Sequence, residues 1–272
     1  MDTIGFVGAG NMAEALVKGV IKANVYKPGK VYVSDVKPER LSYLRNHYGV
    51  RTAENNADLA AKVDILVLSV KPQNMTQALH SIRTSFKPDV LVVSIAAGIK
   101  TTNIAAILGN VAIVRVMPNL PASVDEGASV LFANDRAKSK VEIARLIFLS
   151  VGEAIVVEDE ELLDAVTAIS GTGPAYFFLL MDEMVKAAVN LGLPDDIAKD
   201  LVIQTAKGAA LLAEKSAQNG ETPAQLTRKV ATPHGTTEAA FKVFAEKHFS
   251  DTVFAAIRRA AERSRELSTE TA

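Results

Sequence analysis

The sequence predicts an α/β fold, a doubly wound and mainly parallel sheet, followed by an all-α domain. Three observations predict it. Over residues 1–158, β-branched runs alternate with segments of helical spacing. A glycine turn, Gly8-Ala9-Gly10, joins the first of these runs to the first helix. Beyond the acidic stretch Glu158-Asp159-Glu160-Glu161 every periodic segment is helical. The expected domains are therefore 1–158 and 159–272.

Each element has its own signal. Residues 3–7 are a short apolar run ending at Gly8. Residues 11–23 place Met12, Ala15, Leu16, Gly19 and Val20 on one helical side. Residues 31–34 read as a strand, and 38–47 as a helix with Pro38 in its first turn. The runs 65–69 and 90–95 are continuous and β-branched, as suits strands buried on both faces. Further strands are expected at 112–116 and 130–133, a helix at 137–149 and a last edge strand at 154–157. Helices are then expected at 162–170, 174–191, 197–215, 223–230, 236–247 and 252–267. Pro174 and Pro223 stand near the start of two of them, where a missing N–H costs nothing.

Composition excludes several function classes. Thirty Lys and Arg against 31 Asp and Glu leave a net charge of −1, so there is no basic excess for nucleic acid. With 6% aromatics and no Trp, a base-stacking surface is not expected. The absence of Cys removes disulfides, thiolate metal sites and cysteine nucleophiles, and fits a reducing, cytoplasmic setting. The start has no basic leader, and the apolar stretches fall short of the roughly 20 residues that span a membrane, so neither secretion nor a membrane partner is expected. The four His residues are scattered, and no metal site is expected.

Gly8-Ala9-Gly10-Asn11-Met12-Ala13 reads G-x-G-x-x-A, a form of the dinucleotide fingerprint, and it has the required strand before it and helix after it. Gly8 permits the tight turn, Gly10 lets a pyrophosphate approach the backbone, and the helix start offers free N–H groups. Asp35 ends the second strand at the spacing of an acid that binds the adenosine ribose. Lys37 and Arg40 follow and are placed to neutralise a 2′-phosphate, so NADPH and NADH both stay open. The turns at Ser69-Val70-Lys71-Pro72, Ala96-Ala97-Gly98 and Met117-Pro118-Asn119 follow other strands and are expected at the same crevice. In the second half, Thr232-Pro233-His234-Gly235-Thr236-Thr237 leads into a helix. Its N–H groups suit a carboxylate, and a Thr hydroxyl suits a substrate nitrogen; a Thr N-cap is the plain alternative.

Taken together, these motifs resemble Δ1-pyrroline-5-carboxylate reductase. The resemblance rests on the Gly8–Ala13 turn, Val70-Lys71-Pro72, Ser94-Ile95-Ala96-Ala97-Gly98, Arg115-Val116-Met117-Pro118-Asn119, Ser170-Gly171-Thr172-Gly173-Pro174-Ala175-Tyr176 and the turn ending at Thr237, in family order over nearly the whole chain. It implies a Rossmann domain and a helical dimerisation domain, with homodimers that assemble into decamers. It implies reduction of 1-pyrroline-5-carboxylate to L-proline, with NADPH or NADH as cofactor. Cofactor contacts are implied at Gly8, Ala9, Gly10, Asn11, Met12, Ser34, Asp35, Asn56, Ser69, Val70, Lys71, Pro72, Ala96, Ala97 and Gly98. Substrate contacts are implied at Gly235, Thr236, Thr237, Lys71, Met117 and Asn119, with Thr237 as the catalytic residue at the ring nitrogen. Two positions depart from the family pattern. His234 stands where a Ser-Pro-Gly-Gly turn has its first glycine, and Arg228 where an Asp is frequent. His234 is read as a tolerated loop residue at positive φ, and Glu160 and Glu161 as a solvated loop. A β-hydroxyacid dehydrogenase of similar plan needs a Lys where Phe177 and Phe178 stand, and the first Lys there is Lys186.

Overall fold

The computed structural model describes residues 2–270. Eight strands form one sheet: β1 (Ile4–Val7), β2 (Val31–Ser34), β3 (Arg51–Thr52), β4 (Ile65–Leu68), β5 (Leu91–Ser94), β6 (Ala112–Met117), β7 (Gly127–Ala133) and β8 (Gly152–Val157). Their order is β3-β2-β1-β4-β5-β6-β7-β8. All neighbours are parallel except β6 and β7. The strand expected at 154–157 is the edge strand β8.

The helices of this part are α1 (Asn11–Lys22), α2 (Pro38–Tyr48), α3 (Asn56–Lys62), α4 (Met75–Ile82), α5 (Thr101–Leu108) and α6 (Val141–Leu149). They cover both faces, as the buried runs of β4 and β5 require. Phe6, Leu16, Val33 and Phe148 centre the core on one face, and Leu66, Leu68, Leu79 and Ile82 centre the other. The chain order reverses between β1 and β4, and that reversal opens a crevice at the carboxyl ends of the two strands.

Among the described residues no strand follows β8. The remaining helices are α7 (Leu162–Val166), α8 (Gly173–Asn190), α9 (Asp195–Ala217), α10 (Pro223–Val230), α11 (Thr236–Glu246) and α12 (Phe249–Glu270). The expected helix 162–170 is divided: its second half, Thr167–Gly171, is one turn of π-helix. Such single turns are frequent at functional sites. The helical run Leu162–Asn190 is, by length and composition alone, long and apolar enough to cross a membrane. It exceeds the apolar stretches counted in the sequence because residues 165–181 carry no charge, although polar residues such as Thr167, Ser170 and Thr172 interrupt the apolar ones.

By packing, the chain divides elsewhere than at the acidic stretch. Residues up to Pro174, with those from Arg259 on, form one compact unit, and Ala175–Arg258 forms the second. In the first unit the last turns of α12 return to the segment after the sheet. Ser264 Oγ donates to Asp164 Oδ1 at 2.6 Å, and both residues are buried. In the second unit the helices leave much apolar surface open; Phe177, Leu179 and Phe254 are each more than 60% exposed. An apolar helix surface of this extent marks an interaction face.

Candidate active site

The crevice between β1 and β4 is a cleft of about 530 Å³. Gly8, Ala9, Gly10, Asn11, Asp35, Asn56, Ser69, Val70 and Lys71 all line it. Gly8 has φ +99, and a Cβ there would come within 2.8 Å of Ser69 O, so only glycine fits. Gly10 differs. It caps α1 in an extended conformation, and a Cβ there would meet nothing within 4 Å. Its backbone thus faces open cleft. The first helical bond of α1 is Glu14 N–H to Gly10 O, and no side chain caps the helix. The N–H groups of Asn11, Met12 and Ala13 point from a positive helix end with no acceptor of their own. An open cradle of this kind fits a dinucleotide pyrophosphate.

The end of β2 is held to the glycine turn by charge. Asp35 Oδ2 accepts from Ala9 N–H at 2.6 Å, and Oδ1 accepts from Lys37 N–H at 2.9 Å. Arg40 donates from Nε to Ala9 O at 2.8 Å and from Nη2 to Glu14 Oε2 at 2.6 Å. Burial raises the Glu14 pKa, but hydrogen bonds from Arg40, Tyr43 and Tyr48 outweigh it, and the net shift is downward. Asn56 is bonded on both sides: Ser34 Oγ donates to its Oδ1 at 2.8 Å, and its Nδ2 donates to Ser81 Oγ at 3.0 Å.

The other expected residues lie outside the cleft lining. Met12 packs against the core and Ser34 is buried. Pro72 opens a 3₁₀ turn, Pro72–Asn74. Ala96 is buried, and a Cβ at Gly98 would come within 3.2 Å of Leu267 Cβ. Asn119 is buried and its amide is spent within the fold, donating to Ser170 O at 3.1 Å and accepting from Ala128 N–H at 2.9 Å. Met117 packs on the π turn, where a Cβ at Gly171 would overlap its methyl group. Sequence reasoning missed Asn74, at the end of the 3₁₀ turn, and Gln77, Ala78 and Ser81 on α4, which line the cleft. The apolar spacing of Met75, Ala78, Leu79 and Ile82 carried the signal for that helix.

Glu160 is not the solvated loop residue that the sequence suggested. Its carboxylate accepts from Thr101 N–H at 2.8 Å, from Thr101 Oγ1 at 2.7 Å and from Arg115 Nη1 at 3.2 Å. The side chains of Arg115 and Glu160 are 4% and 13% exposed. Glu161 is the exposed one and pairs with Lys100.

In the second unit, the turn before α11 is described by itself. His234 has φ +60, the conformation a glycine would take there. Its N–H donates to Glu238 Oε2 at 2.7 Å. Hydrogen bonds from Lys242 and then from His234 hold the Glu238 pKa below the usual value. Gly235, not a threonine, is the N-cap, and no side chain caps this helix. The first helical bond runs from Ala239 N–H to Gly235 O. The N–H groups of Thr236 and Thr237 therefore stay free, and the half-exposed Thr237 hydroxyl is not used as a cap.

Two family models match the chain: pyrroline-5-carboxylate reductase dimerisation over residues 160–267, and NADP oxidoreductase coenzyme F420-dependent over residues 3–98. A pyrroline-5-carboxylate reductase of Pseudomonas aeruginosa is 42% identical over 97% of this chain and 96% of its own length. The chain belongs to the pyrroline-5-carboxylate reductase family. The reductase of Coxiella burnetii superposes with a TM-score of 0.88 at 37% identity, covering 98% of each chain. That of Plasmodium falciparum, solved with NADP bound, does so with a TM-score of 0.87 at 29% identity over 98% of each chain. The family match at 160–267 falls on the helices whose apolar faces stand open.

Proposed function

We propose that the chain reduces 1-pyrroline-5-carboxylate to L-proline with NADPH or NADH, the last step of proline biosynthesis. The observation that carries the reading is membership of the family over 97% of the chain, with the glycine cradle intact at its start. The bound dinucleotide supplies a hydride at its nicotinamide ring. The chain's own groups bind and orient. Gly8, Ala9, Gly10, Asn11 and Met12 hold the pyrophosphate at the start of α1, and Asp35 and Asn56 serve the adenosine end. Ser69, Val70, Lys71, Pro72, Ala96, Ala97 and Gly98 border the rest of the cofactor.

The substrate is a cyclic imine with a carboxylate. Protonated, it is an iminium, a strong electrophile that needs no strong acid from the protein. The free N–H groups at Thr236 and Thr237 take the carboxylate, as helix starts take anions, and Gly235, whose own N–H is spent on Thr232 O, shapes the turn beside it. The Thr237 hydroxyl accepts from the ring N–H and fixes which face of the imine carbon is open. When hydride adds to that carbon, the C=N π pair moves to nitrogen and its charge disappears; the amine then takes a proton from water. Placement of the ring supplies most of the rate. Lys71, Met117 and Asn119 belong to the substrate side in this reading, Asn119 by holding the π turn in place.

The helical domain brings copies together as homodimers, and dimers assemble into decamers. The open apolar faces of α8, α9 and α12 support this assembly. The setting is cytoplasmic, without nucleic-acid or membrane partners, in line with the even charge and the absence of Cys. Genetic complementation tests the reading. A bacterium lacking its own pyrroline-5-carboxylate reductase should grow without proline when it expresses this chain. Continued auxotrophy, with the protein present and folded, refutes it.

A further inference from the structure

We propose that Asp35 selects NADH over NADPH in this enzyme by binding the adenosine ribose diol and repelling a 2′-phosphate. The inference rests on the dinucleotide reading above and goes beyond it to a choice between cofactors. The carboxylate is fixed, since each oxygen accepts one backbone N–H, from Ala9 at 2.6 Å and from Lys37 at 2.9 Å. Each oxygen keeps further acceptor capacity, and the side chain lines the cleft. A ribose diol brings two O–H donors to it. A 2′-phosphate brings only acceptor oxygens and negative charge.

The cations nearby do not reverse this. Arg40 is spent on Ala9 O and Glu14, so its charge is already matched. Glu39, in the first turn of α2, is not among the residues lining the cleft. The lining charges on this side are Asp35, Lys37 and Arg40, and with Arg40 paired to Glu14 of α1 the fixed Asp35 carboxylate balances Lys37. Lys71, at the end of β4, stands two strands away, about 10 Å at the usual strand spacing. Directly after Asp35 comes Val36, 94% exposed at the cleft rim, where an apolar side chain offers a phosphate nothing and an adenine face a contact.

The test is equilibrium binding of NADH and NADPH to the full chain, followed by the fluorescence of the reduced nicotinamide without substrate. Wild type should bind NADH at least about tenfold more tightly, the worth of one hydrogen bond to a charged group. Asp35→Asn should bring the two dissociation constants within about threefold, chiefly by tightening NADPH. Because the readout is a ratio in one protein, a modest loss of stability cancels, and a thermal melt of the variant checks folding. Equal or tighter NADPH binding by wild type overturns the inference, as does an unchanged ratio in Asp35→Asn. A chain that binds neither dinucleotide overturns the cofactor reading itself and this inference with it.

Discussion

Gly10→Val separates a phosphate cradle from an ordinary turn. Gly10 has φ −74 and ψ −176, an extended conformation that valine adopts readily, and open space where the new Cβ would go. The folded chain should therefore accept the change. Valine is a poor N-cap relative to glycine, so a cost of about 1 kcal/mol is expected, or roughly 2–4 °C in Tm for a domain of this size. Cofactor binding should suffer far more. The added methyl groups stand between a pyrophosphate and the free N–H groups of α1. Losing two charge-assisted hydrogen bonds at about 1.5 kcal/mol each gives about 3 kcal/mol, roughly a hundredfold in Kd. Fluorescence titration with NADH measures the loss, and a thermal melt measures the fold. Gly8→Val is the contrasting variant: at φ +99 and 2.8 Å from Ser69 O it should fail to fold. A Gly10→Val protein that melts normally and binds cofactor as wild type does would refute the cradle.

Thr237→Ala removes one hydroxyl and leaves the Gly235 cap unchanged. kcat/KM should fall by about one to two powers of ten, the worth of a hydrogen bond to a charged group, while the cofactor Kd stays as in wild type. Equal losses in both would place the turn on the wrong ligand. Burial raises the Asp64 pKa, but hydrogen bonds from Lys87 and from the N–H and hydroxyl of Thr3 outweigh it and bring it to about 2. Its stabilisation is present above the unfolded-state value near 3.9 and is lost as pH falls towards 2. Asp64→Asn should thus cost about 1 kcal/mol at neutral pH, screening included, and only a small part of that near pH 2, where the folded-state carboxyl is half protonated. Urea unfolding at both pH values checks this, and a cost that persists undiminished in acid contradicts it. Leu179→Glu, on an open apolar face of α8, should shift the sedimentation profile from dimers or their multiples to monomer; an unchanged profile would remove that face from the interface.

The sheet domain was legible because its strands are buried on both faces and read as unbroken apolar runs, and because the glycine turn sits where the first of them ends. What was not legible depends on distance along the chain. β3 is Arg51–Thr52, too short to carry a pattern. The short helices α3, α4 and α5 lie between turn signals that look like loops. Glu160 read as solvated because its partners, Thr101 and Arg115, are 59 and 45 residues away. Asp164 meets Ser264 across 100 residues, so no local window shows that α12 returns to the first unit. Asp35, Lys37 and Arg40 were all visible as charges. Which of them is spent on the glycine turn is fixed only by the packing of β2 and α2 against α1.

The most direct test of the central claim follows the near-ultraviolet absorbance of NADH or NADPH on addition of 1-pyrroline-5-carboxylate to the purified protein, with L-proline counted in the same sample. Reduced cofactor should disappear only when both substrate and protein are present, and one L-proline should form for each cofactor oxidised. Oxidation without proline, or no oxidation of either cofactor by a folded protein, would contradict the account.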